Sequence, residues 1–325
     1  MIIDTHGHLV PPDLLNTIRK EAGKFPSLRV VEDPAGLSLA FGQNKPSRPV
    51  MKGLSDVAGR VAWMQKQGID CQVNGGWPDW FASELPAEEG ERWCKMFNEA
   101  LLSAAKAEPR FVPLATLPMQ DGARAGSVLK AAMAAGFRGA MISTLPRGIG
   151  SVLDAPDLEP FWKAADETGA VIHIHPAFDA GESRVLDYGL ANGVGRVSDA
   201  VVAISRLAMS GHVTRYKNAK VFVPIAGGGL PLVVGRLKRN HAITPGTSDP
   251  AEALSLMYTD TIEHDPRVLR FVIEMMGTEH VMMGSDMPFP IGDHEPTKIV
   301  AEAKLNAAQT ASINGGLAAR LFGLT

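Results

Sequence analysis

The sequence has few of the residues that cross-link a chain or attach it to nucleic acids and membranes. Its 325 residues include only Cys71 and Cys94 as cysteines, which excludes a disulfide framework and suits a reducing compartment. No lysine or arginine cluster occurs and the net charge is -3, so we expect no nucleic-acid partner. No apolar run approaches the roughly 18 residues of a membrane-spanning helix, and the amino terminus has no signal-peptide pattern. We expect a cytoplasmic protein without membrane contact.

The composition and periodicity that remain are typical of an α/β enzyme. Hydrophobic residues make up 45% and charged residues 21%, which allows a large core. Eight short apolar segments alternate with helix-like segments, the pattern of parallel βα units. The predicted strands are 2–5, 71–74, 111–117, 139–143, 171–175, 221–225, 255–259 and 281–284, and the predicted helices are 55–67, 88–107, 123–135, 158–168, 197–209, 231–240, 266–276 and 296–308. We predict a (β/α)8 TIM-like barrel forming one domain over residues 1–325. The alternative, an open doubly wound sheet, lacks its usual glycine-rich nucleotide motif.

Two segments depart from this simple alternation. Residues 25–52 alternate apolar and polar positions with glycine and proline between them, which predicts a small β insertion after the first strand-helix unit. Residues 177–195 form a long connection after the fifth strand. Both segments follow carboxyl ends of strands, where barrels build their active sites, so we expect the insertion to act as a lid.

Potential metal ligands occur at the carboxyl ends of three predicted strands. His6 and His8 follow the first strand, the fifth ends with His173 and His175, either of which offers a third imidazole, and Asp286 follows the eighth. Side chains two residues apart on a strand point the same way, and closure of a barrel brings its first and eighth strands together. Imidazoles and a carboxylate form a mixed site that suits one divalent ion. The sequence therefore predicts a metal centre at the barrel mouth.

These motifs resemble the aminocarboxymuconate-semialdehyde decarboxylase family of the amidohydrolase superfamily over nearly the whole chain. The segments that carry the resemblance are 3–8, 175–176, the glycines 227–229 leading to 235–236, and 284–292. The resemblance implies a barrel with one divalent metal, zinc or alternatively manganese, bound by His6, His8, His175 and Asp286. It also implies that Arg48 and Arg236 bind a substrate carboxylate. Relatives share the second arginine across subunits, so we expect a homodimer.

The sequence departs from the family at one chemically important position. Members typically carry an acid/base histidine at the end of strand six, where this chain has Ile225. One explanation is a relocated base, for which His173 is the candidate; the competing interpretation is that His173 is a buried barrel residue. A second explanation needs only metal, water and Asp286, and a third is loss of turnover.

We predict a metal-dependent nonoxidative decarboxylase that acts on a small carboxylated aromatic or muconate-like compound. Asp286 and His173 are the candidate proton carriers. Trp77, after the second strand, either lines an aromatic substrate or packs beneath the β insertion. One alternative is a hydrolase of a lactone, ester or carbon-carbon bond, with metal hydroxide as nucleophile and Asp286 as base. The other is a ligand-binding barrel without catalysis.

Overall fold

The computed structural model describes residues 1–178 and 180–324 and alternates parallel strands with helices. Within these residues the strands are β1 (Ile3–Leu9), β2 (Leu28–Asp33), β3 (Gly36–Phe41), β4 (Cys71–Gly76), β5 (Phe111–Pro113), β6 (Gly139–Ser143), β7 (Val171–His175) and β8 (Lys220–Phe222). Strands β1, β4 and β5 form one parallel sheet, and β6, β7 and β8 form another. Their side chains are almost all buried, as expected where helices cover a parallel sheet.

Single parallel bridges extend the pairing beyond the two sheets. Ala115, just after β5, pairs with Ala140 in β6. On the other side, Phe222 pairs with Tyr258, Thr259 with Val281, and Gly7 with Met287. The predicted seventh and eighth strands are thus represented by these bridges and not by regular strands.

The helices occupy most of the predicted positions. They are α1 (Pro12–Glu21), α2 (Lys52–Ser55), α3 (Val57–Gln67), α4 (Ala87–Ala107), α5 (Gly122–Ala135), α6 (Glu159–Thr168), α7 (Arg196–Met209), α8 (His212–Arg215), α9 (Pro224–Gly228), α10 (Leu230–His241), α11 (Pro250–Leu254), α12 (Pro266–Met276), α13 (Pro296–Glu302), α14 (Ala307–Ala311) and α15 (Leu317–Phe322). The helix predicted at 55–67 starts later because Asp56 caps α3 by accepting from the Gly59 N–H. The helix predicted at 296–308 ends early, and Lys304 has a φ of 54°. Among the described residues, no helix combines the length and apolar character needed to cross a bilayer.

The chain after β8 does not continue as a strand. The sequence predicts extended structure to Ile225, but β8 ends at Phe222 and α9 is a left-handed turn. The φ angles are 57° at Ile225, 54° at Ala226 and 63° at Gly227. This conformation suits glycine and strains a β-branched side chain. The prediction is wrong here because a run of apolar residues specifies burial and not backbone handedness.

Strands β2 and β3 form an antiparallel hairpin within the segment 25–52. Leu28 pairs with Phe41 and Asp33 with Gly36. The inner face of the hairpin is buried: Leu39 is inaccessible, and the Phe41 ring lies 5.3 Å from that of Trp93 on α4. Aromatic edge-to-face contacts of this kind add to the hydrophobic stabilisation. The hairpin is therefore packed onto the body of the protein.

Candidate metal centre and active site

Four side chains from distant parts of the sequence converge at the carboxyl ends of the strands. His6 and His8 lie on β1, and His175 ends β7. Asp286 lies between Val281 and Met287, the residues that bridge to Thr259 and Gly7. One potential ligand atom from each lies within 4.8 Å of the other three. The Nε2 atoms of His6 and His8 are 3.2 Å apart, and Asp286 Oδ1 is 3.0 Å from His8 Nε2 and 3.5 Å from His6 Nε2. The structure thus brings together the four predicted metal ligands.

The surroundings of the three imidazoles fit metal binding through Nε2. Each Nδ1 faces an oxygen acceptor, which favours the tautomer with hydrogen on Nδ1 and leaves Nε2 free to bind an ion. The acceptors are Asp260 Oδ2 for His6 at 2.8 Å, Gly76 O for His8 at 3.2 Å, and Pro176 O for His175 at 2.9 Å. Burial, followed by the nearby charges, holds the pKa of His175 well below its usual range, so this ligand is neutral. Three imidazoles and one carboxylate fit a divalent ion.

The backbone places the carboxylate ligand beside the first strand. Asp286 has a φ of 58°, a conformation that aspartate adopts more readily than most residues. Its N–H donates to the carbonyl oxygen of His6 at 2.8 Å, and the Thr5 N–H donates to Met283 O at 2.9 Å. These bonds join the two ends of the sequence at the metal centre.

A buried polar network connects β1, β4 and the segment that precedes Asp286. Arg60 donates from Nη1 to Gln72 Oε1 at 2.7 Å and from Nη2 to His8 O at 3.1 Å. Gln72 in turn donates to Asp4 Oδ2 at 2.7 Å, which also accepts from Ser285 Oγ at 2.5 Å. Burial lowers the pKa of Arg60 to about 10, while the charge of Asp4 acts in the opposite direction. The charged Arg60 therefore positions the strand that carries two ligands.

His173 lies among the metal ligands but has no polar partner. Its side chain is inaccessible, and its ring centroid is 4.5 Å from that of His6 and 4.3 Å from that of Phe222. Neither nitrogen has a hydrogen-bond partner among the described residues. Burial, and next the neighbouring His6 and His8, hold the pKa of His173 well below its usual range. The imidazole is therefore neutral at neutral pH.

Arg48 is engaged by a carboxylate of the protein itself. It forms a two-pronged ion pair with Asp79, with both nitrogen–oxygen distances 3.0 Å. Its guanidinium also lies 4.3 Å from the ring centroid of Phe178 and 5.8 Å from that of Trp77. Trp77 is inaccessible, and its Nε1 has no partner among the described residues. Arg48 and Trp77 are thus neighbours, and Trp77 is buried.

Arg236 lies apart from this group. It is exposed on α10, and the hydrogen bonds and ion pairs of residues 1–178 and 180–324 do not include its side chain. The neighbouring Leu232 on the same helix is 78% exposed. A role for Arg236 in the site of its own chain has no contact to support it.

Sequence reasoning missed Arg196, the first residue of α7. This side chain is only 7% exposed, and its guanidinium lies 5.2 Å from the Phe178 ring centroid. Burial and then the charge of His8 lower the pKa of His175, and the charge of Arg196 lowers it further. For Asp286, burial raises the pKa, and the two neighbouring histidines and then Arg196 lower it. The available signal for Arg196 was its position, directly after the long connection that follows β7. No motif marks it.

The left-handed turn α9 is held against the metal centre by two side chains. The Ile225 N–H donates to Asp260 Oδ1 at 2.9 Å, and the Gly227 N–H donates to Thr259 Oγ1 at 2.6 Å. Asp260 therefore supports both His6 and the turn. Ile225, the position to which the resemblance assigns an acid/base histidine, lies in this turn and not in a strand, and Asp260 links its backbone to His6.

A second buried acid lies beside this turn. Neither carboxyl oxygen of Glu263 has a partner of good hydrogen-bond geometry among the described residues. Burial first and the charge of Asp260 second raise the pKa of Glu263 well above its usual value, and the backbone amides of Glu263 and Ala226 offset only part of this. Glu263 is thus a buried acid that resists ionisation.

We expect Glu263→Gln to stabilise the protein increasingly as the pH rises. Below the unfolded-state pKa of about 4.5, both states carry the proton and the acid adds no pH dependence. Above it the unfolded chain loses the proton while the folded protein keeps it, so wild-type stability falls as pH approaches the raised pKa. A tenfold difference in the acid's dissociation constant between the two states corresponds to about 1.4 kcal/mol. Urea unfolding of both proteins from pH 5 to 9 measures the difference; a pH-independent difference, or the same trend in the exposed control Glu274→Gln, would contradict this account.

Comparison with known proteins identifies relatives of this chain. A family model described as Amidohydrolase matches residues 3–324. The 2-amino-3-carboxymuconate-6-semialdehyde decarboxylase of Dictyostelium discoideum is 25% identical over 331 residues, covering 99% of this chain and 91% of the relative.

Solved structures show the same fold at low identity. The 5-carboxyvanillate decarboxylase of Sphingomonas paucimobilis is 24% identical with a TM-score of 0.81, covering 100% of this chain and 99% of that one. A dihydroxybenzoic acid decarboxylase from Polaromonas, solved with manganese and 2-nitroresorcinol, is 19% identical with a TM-score of 0.76, covering 99% and 97%. Because both identities are below 25%, these structures establish the fold alone. The match of the family model to nearly every residue shows that this chain belongs to the amidohydrolase family.

Proposed function

We propose that this protein is a metal-dependent nonoxidative decarboxylase of small carboxylated aromatic or muconate-like acids. The observation that carries the proposal is the buried convergence of His6, His8, His175 and Asp286, with ligand atoms within 4.8 Å of one another. The names of the relatives support the reaction class, since the Dictyostelium relative and both structural neighbours are decarboxylases.

We propose that the centre holds one divalent ion. Three imidazoles and a carboxylate suit zinc, whereas manganese is present in the Polaromonas structure, so metal analysis of chelator-free protein must distinguish the two. When bound, the ion would supply a Lewis acid that polarises an oxygen of the substrate. The residues of the chain would orient the substrate and deliver the proton that replaces the departing carboxylate.

We propose that Asp286, and not His173, carries the proton. Decarboxylation breaks the bond between a substrate carbon and the carboxylate, and the electron pair left on that carbon must accept a proton as carbon dioxide leaves. Because Asp286 is ionised at rest, it would take this proton up from solvent before passing it to the carbon. The Asp286 side chain is 9% exposed, while His173 is inaccessible and packed against Phe222. A proton carrier must reach the substrate, which favours Asp286 and leaves His173 as a packing residue.

The finer architecture is also a proposal. The chain of parallel pairings from β1 to Val281 and from Met287 back to Gly7 supports a closed eight-stranded barrel in one domain. The chain continues from the hairpin of β2 and β3 to Arg48. Arg48 forms an ion pair with Asp79, which lies in the connection after β4. We propose that residues 25–52 cover the mouth of the barrel as a lid with Trp77 beneath it.

We propose a homodimer in the cytoplasm. Leu232 on α10 and Val202 on α7 are 78% and 60% exposed, the two helices pack together, and Arg236 is exposed beside them. Apolar side chains at this exposure suit a subunit interface. Both cysteines are free thiols, in keeping with a reducing compartment. Light scattering of the purified protein measures the mass.

Carbon dioxide release from a panel of carboxylated aromatic and muconate-like acids tests the function. We expect turnover by wild type, and we expect Ile225→His to change it by less than the 10²- to 10⁴-fold that acid-base assistance typically contributes, because Asp286 already carries the proton. Inactive wild type together with an active Ile225→His variant would show that the native reaction differs. Incorporation of labelled solvent oxygen without carbon dioxide release would instead identify a hydrolase.

A further inference from the structure

Arg196 is a buried cation that forms no ion pair with any carboxylate of the described residues, although the charges of Asp286 and Asp79 act on it from a distance. The side chain is largely shielded from solvent, since only 7% of the residue is exposed. No carboxylate among residues 1–178 and 180–324 forms an ion pair with it, and its Nε has no hydrogen-bond partner there. Burial lowers its pKa, but a guanidinium stays charged near neutral pH.

An unpaired buried charge is costly for the protein that contains it. Removing an ion from water costs several kcal/mol unless an opposite charge or hydrogen bonds compensate. The contact with Phe178 at 5.2 Å is a cation–π interaction that compensates only partly. A cation retained at this cost next to a metal centre indicates that its partner is an anionic ligand.

Arg48 and Arg196 face the same aromatic ring but differ in their availability. The Arg48 guanidinium lies 4.3 Å from the Phe178 centroid, on the same ring that Arg196 contacts. Asp79 satisfies Arg48 through two hydrogen bonds, so Arg48 must give up an ion pair before it can bind a substrate. Arg196 has no such competitor among the described residues.

The reaction determines which acidic group such a cation can bind usefully. A cation that held the departing carboxylate would stabilise the substrate more than the transition state, because the negative charge leaves that group as carbon dioxide forms, and this would slow the reaction. A cation that binds a group the substrate retains adds affinity without that penalty. The favourable partner is thus a second acidic substituent.

We propose that Arg196 binds a carboxylate that the substrate keeps, so that the preferred substrates are dicarboxylic acids. The fork of guanidinium donors suits a carboxylate in a two-pronged geometry. This inference rests on the proposed decarboxylation, since the distinction between a departing and a retained carboxylate has meaning only for that reaction. Arg48 then orders the lid through Asp79 and Phe178.

Equilibrium binding tests the assignment without requiring turnover. Titration calorimetry on the metal-loaded protein compares each of the three benzenedicarboxylates with its monoamide, which keeps one carboxylate and replaces the other with a neutral group of similar shape. We expect at least one dicarboxylate to bind wild type about 30-fold or more tightly than its monoamide, the lower range for a buried charge pair. Arg196→Gln should reduce this ratio to near one and Arg196→Lys should recover part of it. Arg206→Gln, on the same helix and at an ion pair with Asp154, should leave it unchanged.

The result that would overturn the assignment is a ratio near one for all three isomers in wild type, or loss of the ratio in Arg48→Gln but not in Arg196→Gln. Urea unfolding of the unliganded proteins provides a second criterion. Because Arg196 has no ion-pair partner among the described residues, Arg196→Gln should be at least as stable as wild type, whereas clear destabilisation would assign the residue a structural role. Failure of carbon dioxide release would refute the proposed reaction but would not alter the binding ratio.

Discussion

His6→Ala is expected to abolish metal binding and with it at least about a thousand-fold of the activity. The His6 Nε2 lies 3.2 Å from His8 Nε2 and 3.5 Å from Asp286 Oδ1, so its removal leaves the site with three ligands and opens one side to water. A Lewis acid contributes several kcal/mol to transition-state stabilisation, and each 1.4 kcal/mol is about tenfold in rate. Elemental analysis of protein purified without chelator, together with carbon dioxide release, measures both losses.

Two further variants test whether the loss of metal is specific to the proposed ligands. One changes a second ligand with little change of shape, and the other changes a histidine outside the site. Asp286→Asn keeps the shape of the ligand and removes its charge, so it should also lose metal and activity. His241→Ala changes a histidine on α10 whose Nδ1 contacts Thr247, and it should retain wild-type metal content. One equivalent of metal in both ligand variants would show that the ion binds elsewhere and would disprove the proposed centre.

Arg60→Met is expected to destabilise the protein by about 3–5 kcal/mol, the cost of breaking a buried charge network by removing one partner. Methionine retains much of the volume, so the loss reports polar contacts more than a cavity. The Arg60 side chain donates to His8 O, Gly53 O and Gln72 Oε1, and the variant leaves these acceptors unsatisfied. Asp4 also loses its nearby cation. Urea unfolding at neutral pH measures the change.

The metal dependence of this change gives a sharper criterion. Since Arg60 positions the carbonyl of His8, its loss should weaken metal binding as well as folding, and the stability difference should be larger with metal than with chelator. Arg124→Met, at a partly exposed ion pair with Glu91, is the control and should behave like wild type. Equal stability of Arg60→Met and Arg124→Met would show that the network contributes little.

The convergence of the four candidate metal ligands was predictable because several signals coincide. His6 and His8 are two residues apart on one strand, and His175 and Asp286 also follow apolar segments, so the topology brings them together. The prediction of strand six to Ile225 was wrong at its end because Asp260 and Thr259, 35 and 32 residues distant, hold the turn. Such long-range hydrogen bonds leave no local pattern.

Arg196 was not predictable for a different reason. Its environment is determined by burial against Phe178 and by the lack of a carboxylate partner among the described residues. Neither property can be inferred from the residues next to Arg196 in the sequence. Arg48 shows the converse: its motif was recognisable, but the ion pair with Asp79 depends on how two separate connections pack. Charge pairing in three dimensions therefore decides which arginine is available to a ligand.

The convergence of both ends of the sequence also has a consequence for how the protein folds. His8 and Asp286 are 278 residues apart, and so are Thr5 and Met283. Forming contacts between residues this far apart in sequence costs the entropy of closing a long loop, so we expect these contacts to form late in folding. During synthesis, three of the four candidate ligands emerge from the ribosome long before Asp286 does, so the complete ligand set exists only after the segment that carries Asp286 has been made. Metal uptake should therefore coincide with the last stage of folding and report its completion.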